Sequence, residues 1–267
     1  MVPPITSLQN PRIKQAVKLR DRKGRVEQNR IIIDGAREIS RAIAANVDLD
    51  EAFICEEFCR SDESQTLLAQ LPEISVNLLH VSPAVFDKLA YGERQEGIIA
   101  TAHTPAPTLA ELHLPPHACV AVLEGVEKPG NVGAVLRSAD AAGIAALIVA
   151  DGATDLYNPN AIRASLGAIF TVPVCAASSA EALAWLRERQ LPIVAARVDG
   201  QRYYHQVDYT RGAAIVLGSE ADGLTQFWYA DDITPIKLPM LGVVDSLNVS
   251  VTAGVLFYEA GRQRHPA

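Results

Sequence analysis

Cysteine is scarce in this chain of 267 residues, which holds four thiols: Cys55, Cys59, Cys119 and Cys175. Four thiols are too few for the disulfide framework of a secreted protein, so we expect buried thiols in a reducing compartment. Cys55 and Cys59 have no second pair of ligands nearby in the sequence. We therefore expect no metal site in this protein.

Long apolar runs are also missing. The longest spans residues 144–150, far below the roughly 18 to 20 residues that cross a bilayer. The first residues, Met-Val-Pro-Pro, lack the charged region and apolar stretch of a secretory leader. We expect a soluble, cytoplasmic protein without a membrane partner.

The usual nucleotide fingerprints are absent from the glycine-bearing loop that follows the apolar strand expected at 118–125. Gly125, Gly130 and Gly133 lie in this loop and would let backbone amides approach an anion. Their spacing fits neither a dinucleotide-binding motif nor a phosphate-binding P-loop. A metabolic enzyme that uses a nucleotide cofactor on a doubly wound sheet therefore stays only as an alternative.

Charge is unevenly distributed. The whole chain carries a formal charge of −7, which argues weakly against a nucleic-acid partner. Residues 10–41, however, hold ten basic and four acidic side chains, a net charge of +6, which leaves −13 for the remainder. This polarity favours one face that meets phosphates, with an ordinary solvated helix as the alternative.

Strand and helix patterns alternate in the N-terminal part of the chain, and they predict a small α/β domain over residues 1–102. A helix is expected from Ser7 to Lys23, broken near Gly24, with Pro11 in its first turn. The further strands are expected at 30–34, 51–55, 76–81 and 97–101, and the further helices at 35–45, 61–70 and 83–89.

A proline-rich linker is expected at residues 103–117, followed by a second domain at 118–267. Near-continuous apolar strands alternate there with helices, which indicates a parallel sheet covered on both faces. Strands are expected at 118–125, 146–150, 171–175, 193–198, 213–218 and 233–238, and helices at 131–142, 160–170 and 179–190.

A glycine-bearing loop joins the last strand to a C-terminal helix. Asp245 or Ser246 is expected to cap this helix. Apolar residues at helical spacing predict its buried face: Leu247, Val251, Val255 and Tyr258. Backbone groups left unpaired in the loop are expected to hold a ligand.

Three loops with unusual residues lie at expected carboxyl ends of strands, where ligands of parallel sheets bind. They contain the patterns N-x-G-x-x-x-R-S-A at 131–139, G-x-E-x-x-G at 218–223 and L-P-M-x-G-x-x-x-S-L-N-V-S at 238–250. Together, and in this order, they resemble the three motifs of the SpoU-type ribose methyltransferases of the SPOUT superfamily. A stretch at 158–170 is also similar to that family.

This resemblance implies a trefoil-knotted α/β domain that transfers a methyl group from S-adenosylmethionine to a ribose 2′-hydroxyl of RNA. It implies a homodimer formed through the C-terminal domain, with a site completed across the interface. It also implies that the cofactor lies against the knotted loops. The residues assigned to the cofactor site are Leu217, Gly218, Leu238, Met240, Ser246 and Leu247.

The catalytic residues that the resemblance implies are Asn131, Arg137, Glu220, Ser246 and Asn248. Family accounts have the arginine help the hydroxyl lose its proton. Because an arginine is effectively always protonated, we expect Arg137 to position a phosphate and to stabilise developing oxyanion charge. Taken alone, Arg137 would be a solvated helix residue, Asn131 a helix cap, and Glu220 the cap of a helix that begins near Gly223.

The N-terminal hundred residues resemble the substrate-binding domain of ribosomal-RNA members of the family, a fold similar to kink-turn-binding ribosomal proteins. This likeness favours large-subunit ribosomal RNA over transfer RNA, whose methyltransferases generally lack such a domain. An RNA-binding protein that has lost catalysis is the remaining alternative. The residues expected to contact RNA are Arg12, Lys14, Lys18, Arg22, Arg37 and Arg163.

Overall fold

Two compact units make up the protein in a computed structural model that describes residues 3–92, 95–152 and 154–265. The first unit contains residues 3–105 together with Tyr157–Thr171. The second contains residues 106–156 and 172–265. The segment Tyr157–Thr171 lies inside the range 118–267 expected for the second domain, yet it packs within the first unit.

The strands and helices follow one another in an alternating order. The strands are β1 Arg30–Asp34, β2 Leu49–Ile54, β3 Asn77–His80, β4 Ile98–His103, β5 Cys119–Glu124, β6 Ala146–Ala150, β7 Val174–Ala177, β8 Ile193–Ala196, β9 Arg202–Tyr203, β10 Ala213–Leu217 and β11 Ile233–Lys237. The helices are α1 Pro11–Lys18, α2 Arg22–Gln28, α3 Ala36–Ala44, α4 Asp62–Gln70, α5 Pro83–Leu89, α6 Pro129–Ala142, α7 Pro159–Ala164, α8 Ala168–Thr171, α9 Ser179–Glu188 and α10 Val249–Arg264.

The first unit is built on a four-stranded sheet in the order β1-β4-β2-β3. Strand β4 is antiparallel to β1 and β2, whereas β2 and β3 are parallel. One core forms where α1 and α5 pack, and it includes Ile13, Phe53, Phe86, Leu89 and Ile99. The predicted α/β character of this part is present.

The break in the basic segment lies earlier than predicted. Helix α1 ends at Lys18 and α2 begins at Arg22, so Gly24 lies inside α2 instead of breaking a helix. A Cβ atom at Gly24 would lie 2.0 Å from the carbonyl oxygen of Lys18. Gly24 is therefore required for the close approach of the two helices and not for a turn.

The helix predicted at 160–170 is two short helices, α7 and α8. Leu166 and Gly167 between them have φ values of 53° and 84°, which a continuous helix does not allow. A Cβ atom at Gly167 would lie 3.1 Å from the Cα of Glu38, and the Arg41 guanidinium donates a hydrogen bond of 2.8 Å to the Leu166 carbonyl. The close packing of α3 on this turn explains the break.

The second unit has a seven-stranded sheet in the order β7-β6-β5-β10-β8-β11-β9. Every neighbouring pair is parallel, which confirms the predicted parallel sheet. Strand β9 has only two residues and was not predicted. Residues 106–117, expected to be a linker, pack on this unit: Leu112 is buried and the Trp185 indole donates a hydrogen bond of 2.8 Å to the Leu109 carbonyl.

The predicted start and buried face of α10 are both wrong. Asn248 caps the helix, because its side-chain oxygen accepts a hydrogen bond of 2.9 Å from the Ser250 amide. The residues that α10 buries are Val249, Ala253, Leu256, Phe257 and Ala260. Instead of lying in the core, Leu247, Val251 and Tyr258 are 39%, 52% and 60% exposed. The buried face of α10 therefore contains Leu256 and Phe257, and Val251 and Tyr258 lie on the surface.

All four thiols are buried, as predicted. Burial raises the pKa of Cys59 and of Cys175 to about 11. None of the helices in the described part of the chain is long and apolar enough to span a bilayer.

Candidate cofactor cleft and motif network

A cleft of about 700 Å³ opens at the carboxyl ends of β8, β10 and β11 in the second unit. Ligands of parallel sheets bind at this end of the strands, and the volume suits a small organic ligand. The residues assigned to the cofactor from the sequence all line this cleft: Leu217, Gly218, Leu238, Met240, Ser246 and Leu247. Glu220 lines it as well.

The loop after β10 turns tightly. Ser219 and Gly223 exchange backbone hydrogen bonds of 3.1 and 3.2 Å, and Gly223 has a φ of 68°. A Cβ atom at Gly218 would lie 2.3 Å from the Gly223 carbonyl carbon. Glycine is therefore needed at 218 for the turn that places Glu220 at the cleft.

The loop between β11 and α10 leaves its backbone available. No backbone group of residues 238–247 forms a hydrogen bond with any other residue that the structure describes. Because backbone N–H and C=O groups need partners once water is excluded, a ligand in the cleft would meet donors and acceptors on this side. A flat heterocycle with its own donors and acceptors suits such a wall.

Glu220 joins side chains from all three sequence motifs. Its carboxylate accepts hydrogen bonds of 3.0 Å from the Lys128 ammonium and 3.1 Å from the Asn131 amide, and a further bond from the Asn248 amide. The Asn248 amide also lies 3.4 Å from the side-chain oxygen of Asn131. Lys128 and Asn248, which are 92 and 28 residues from Glu220 in the sequence, thus bind the same carboxylate.

The hydrogen bond and charge of Lys128 lower the pKa of Glu220 below its ordinary value of 4.5, and the Asn131 amide acts in the same direction. Glu220 is therefore ionised at neutral pH and accepts from all its donors. An ionised acceptor shared by three loops fixes their side chains in one arrangement.

The capping roles considered for Asn131 and Glu220 are wrong. Helix α6 begins after Lys128, so Asn131 lies inside the first turn and its amide reaches Glu220. No helix begins at Gly223: the next helical residues are the 3₁₀ turn Gln226–Tyr229. Sequence reasoning also missed Lys128, whose one signal is its position in the first motif loop.

A second carboxylate that sequence reasoning missed, Glu124, joins two loops of the second unit. It is 1% exposed at the end of β5. Its oxygens accept hydrogen bonds of 2.6 Å from both the amide and the hydroxyl of Thr225, and one of 2.5 Å from the Ser179 hydroxyl. A carboxylate that ends an otherwise apolar strand was the available signal. Glu124 thus fixes the segment that leads to Gln226–Tyr229.

Arg137 differs from the interlocked residues. It lies exposed on α6, outside the set of residues that line the cleft. Within the described ranges, its guanidinium forms no hydrogen bond or ion pair. The structure therefore leaves this cation available to a ligand in solution.

The residues expected to contact RNA all lie in the first unit, and they differ in whether their charged groups are already bonded to other residues. Lys14 and Lys18 are exposed on one face of α1 and have no ion-pair or hydrogen-bond partner among the residues described. Arg12 lies 3.5 Å from Glu51, and Arg37 lies 3.0 Å from Glu63. Arg22 is exposed, and Arg163 donates to the Tyr91 carbonyl at 3.3 Å.

Comparisons with known proteins agree with this geometry. The model of the SpoU rRNA Methylase family matches residues 118–258, and that of the MRM3-like substrate binding domain matches residues 10–100. The 23S rRNA (guanosine-2′-O-)-methyltransferase RlmB of Vibrio vulnificus is 36% identical over 214 residues, which cover 77% of this chain and 85% of that protein.

Solved structures that cover almost the whole chain are also similar to this protein. The crystal structure of an RNA 2′-O ribose methyltransferase shares 44% identity and superposes with a TM-score of 0.86, covering 98% of this chain and 99% of that one. The SpoU methyltransferase AviRb of Streptomyces viridochromogenes, in complex with AdoMet, shares 26% identity with a TM-score of 0.86, covering 96% and 98%. The chain belongs to the SpoU rRNA methylase family.

Proposed function

We propose that this protein methylates a ribose 2′-hydroxyl of RNA with S-adenosylmethionine as the methyl donor, and that its substrate is large-subunit ribosomal RNA. The observation that carries the proposal is the meeting of Asn131, Glu220 and Asn248, one from each motif, beside a cleft at the carboxyl ends of parallel strands. The methyltransferase activity and the AdoMet complex of the relatives support it.

The cleft fits the donor by size and by chemistry. A volume of about 700 Å³ admits a nucleoside with an amino-acid tail. The unpaired backbone groups of residues 238–247 offer donors and acceptors for a base, and Leu217, Leu238 and Met240 offer apolar contacts. When bound, S-adenosylmethionine supplies a methyl group already activated on a sulfonium.

The chain's own residues then have to position the ribose and help its hydroxyl lose a proton. Asn131 is held by Glu220 and can orient the ribose from the start of α6. Arg137 cannot act as a base because it stays protonated, so it binds the neighbouring phosphate and stabilises negative charge on the attacking oxygen. Ser246 lines the cleft, and Asn248 donates a hydrogen bond to Glu220, which lines it as well.

Ribosomal RNA is favoured over transfer RNA by the first unit. Residues 10–100 match a substrate-binding domain, and the relative from Vibrio vulnificus is named for 23S rRNA. The exposed Lys14, Lys18 and Arg22 offer charge for RNA phosphates. A cytoplasmic location is part of the same proposal.

A homodimer through the second unit is part of the proposal. Val251 and Tyr258 on α10, with Leu241, Val243 and Val244 of the preceding loop, are 52% to 104% exposed and form the apolar surface that a second copy would cover. We also propose that the C-terminal segment is knotted. Its support is that α10 packs against α6 while Asn248 touches the loop after β10.

The test of the activity is methyl incorporation from labelled S-adenosylmethionine into ribosomal RNA of cells that lack the gene, with transfer RNA in parallel. A 2′-O-methyl group makes the adjacent phosphodiester resist alkali, so the label should appear in alkali-stable dinucleotides from 23S rRNA. RNA binding without incorporation would support the inactive RNA-binding alternative, and label in transfer RNA alone would contradict the substrate.

The dimer is tested separately by light scattering during gel filtration. Val251→Asp places a charge on the exposed face of α10 and should yield monomers. Val26→Asp is the matched control, because Val26 is 73% exposed and belongs to the first unit instead of α10. A wild-type monomer, or dissociation by both variants alike, would contradict the proposed interface.

A further inference from the structure

The outer wall of the cleft carries a group of flat side chains that belongs to none of the three motifs. Arg197 follows β8, Tyr203 ends β9, and Tyr229 ends the 3₁₀ turn Gln226–Tyr229, and all three line the cleft. Tyr203 and Tyr229 are 39% and 50% exposed, so both present aromatic surface where they line the cleft. The three motifs therefore do not explain this part of the cleft lining.

Arg197 is locked in place on two sides. Its Nε and Nη2 donate to the two oxygens of Asp199 at 2.9 and 2.5 Å, and Nη1 donates to the Trp228 carbonyl at 3.4 Å. The guanidinium carbon lies 3.4 Å from the centre of the Tyr229 ring. The side chain is 12% exposed and lines the cleft.

These contacts decide what Arg197 can offer a ligand. Its fork is already occupied by Asp199, and the pair is electrically neutral, so it is a poor site for a carboxylate. The Tyr229 ring covers the guanidinium, and both side chains line the cleft. A flat cation backed by a ring binds another flat, electron-rich ring by stacking.

We propose that the Arg197–Tyr229 pair is the stacking wall for the adenine base of the cofactor, and that it sets the affinity for the base and not for the amino-acid tail. The inference rests on the proposed function, since it assumes that S-adenosylmethionine binds in this cleft. The base would lie between this wall and the unpaired backbone of residues 238–247.

The test compares two ligands by calorimetry with the full chain. S-adenosylhomocysteine has the base and the amino-acid tail, whereas 5′-methylthioadenosine has the base and a neutral thioether but no tail. Arg197→Ala should raise the Kd of both ligands by the same factor, about tenfold, which is the usual scale for one stacked base. A loss confined to S-adenosylhomocysteine would assign Arg197 to the tail and overturn the proposal.

Arg187→Ala is the matched control. Arg187 forms the same two-pronged ion pair, with Asp232 at 2.8 and 2.7 Å, in the same unit but outside the cleft. Its loss should leave both Kd values unchanged. An equal effect of Arg187→Ala and Arg197→Ala would mean that a general loss of stability, and not stacking, weakens binding.

Substitutions of Tyr229 test the same proposal if Arg197→Ala does not fold. Tyr229→Phe keeps the ring and should bind both ligands like the wild type, while Tyr229→Ala should weaken both by about threefold. Unchanged binding in Tyr229→Ala, or no measurable binding of 5′-methylthioadenosine to the wild type, would overturn the proposal. A wild type that binds neither ligand would instead contradict the proposed function.

Discussion

The motif network of the second unit and the α1 lysines of the first unit hold their polar side chains in opposite ways. In the second unit, Lys128, Asn131 and Asn248 are fixed on one ionised carboxylate, Glu220. In the first unit, Lys14 and Lys18 are exposed and without a described partner. Fixed geometry suits chemistry, which tolerates little misplacement, whereas mobile charge suits RNA phosphates, whose attraction acts over a Debye length.

Arg137 is the residue that most directly tests this contrast, because it lies in the second unit but is as exposed and unpaired as the lysines of the first. Arg137→Ala should lower methyl transfer by about 100- to 1,000-fold, the scale for losing one oxyanion-stabilising donor. The Kd of S-adenosylmethionine, measured by calorimetry, should stay unchanged. Equal weakening of turnover and cofactor binding would contradict the assigned role.

The free lysines of α1 should matter next most. Lys14→Ala with Lys18→Ala should weaken RNA binding by about tenfold near 0.1 M salt and reduce the slope of log K against log salt by about 2. Filter binding over a salt series measures both. Lys23→Ala is the control, since Lys23 lies 3.7 Å from Glu27. An unchanged slope in the double variant would remove α1 from the RNA surface.

Glu220→Gln removes the charge but keeps the shape of the residue at the centre of the motif network. Because the pKa of Glu220 is lowered in the folded protein, its contribution to stability is present above its ordinary value of 4.5 and is lost as pH falls through the lowered value. The melting temperature of wild type should exceed that of the variant from pH 7 to about 5, and the difference should shrink in more acidic buffer. A difference independent of pH would argue against the ionised network.

Arg37→Ala should give the smallest effect. Arg37 is already bonded to Glu63, which also raises its pKa, so RNA has to compete for its guanidinium. We expect a loss of RNA affinity of about twofold or less, in the same filter assay. A loss as large as that of the α1 lysines would mean that the ion pair opens when RNA binds.

The sequence predicted regular elements better than their faces and ends. The parallel sheet followed from the apolar strands, and the cleft position of Gly218, Leu238 and Leu247 agrees with the motifs. The buried face of α10 was not predicted correctly, because apolar spacing alone does not say whether a stripe of residues packs in this chain's own core or lies on its surface. Val251 and Tyr258 lie on the surface.

Contacts between residues that are far apart in the sequence could not be predicted either. Gly24 was taken as a helix breaker, although the reason for glycine is the carbonyl of Lys18 on a neighbouring helix. Lys128 and Glu124 gain their partners only from the fold, through Glu220 in one case and Thr225 in the other. Arg197 had no signal at all, since its neighbours Asp199 and Tyr229 form no recognisable motif.

The most direct test of the central claim is a crystal structure of this protein with S-adenosylmethionine. The account predicts that the donor lies in the cleft lined by Gly218, Leu238 and Leu247, with its base against Arg197 and its methyl group toward Asn131. A donor bound at another surface, or no donor bound at saturating concentration, would contradict it.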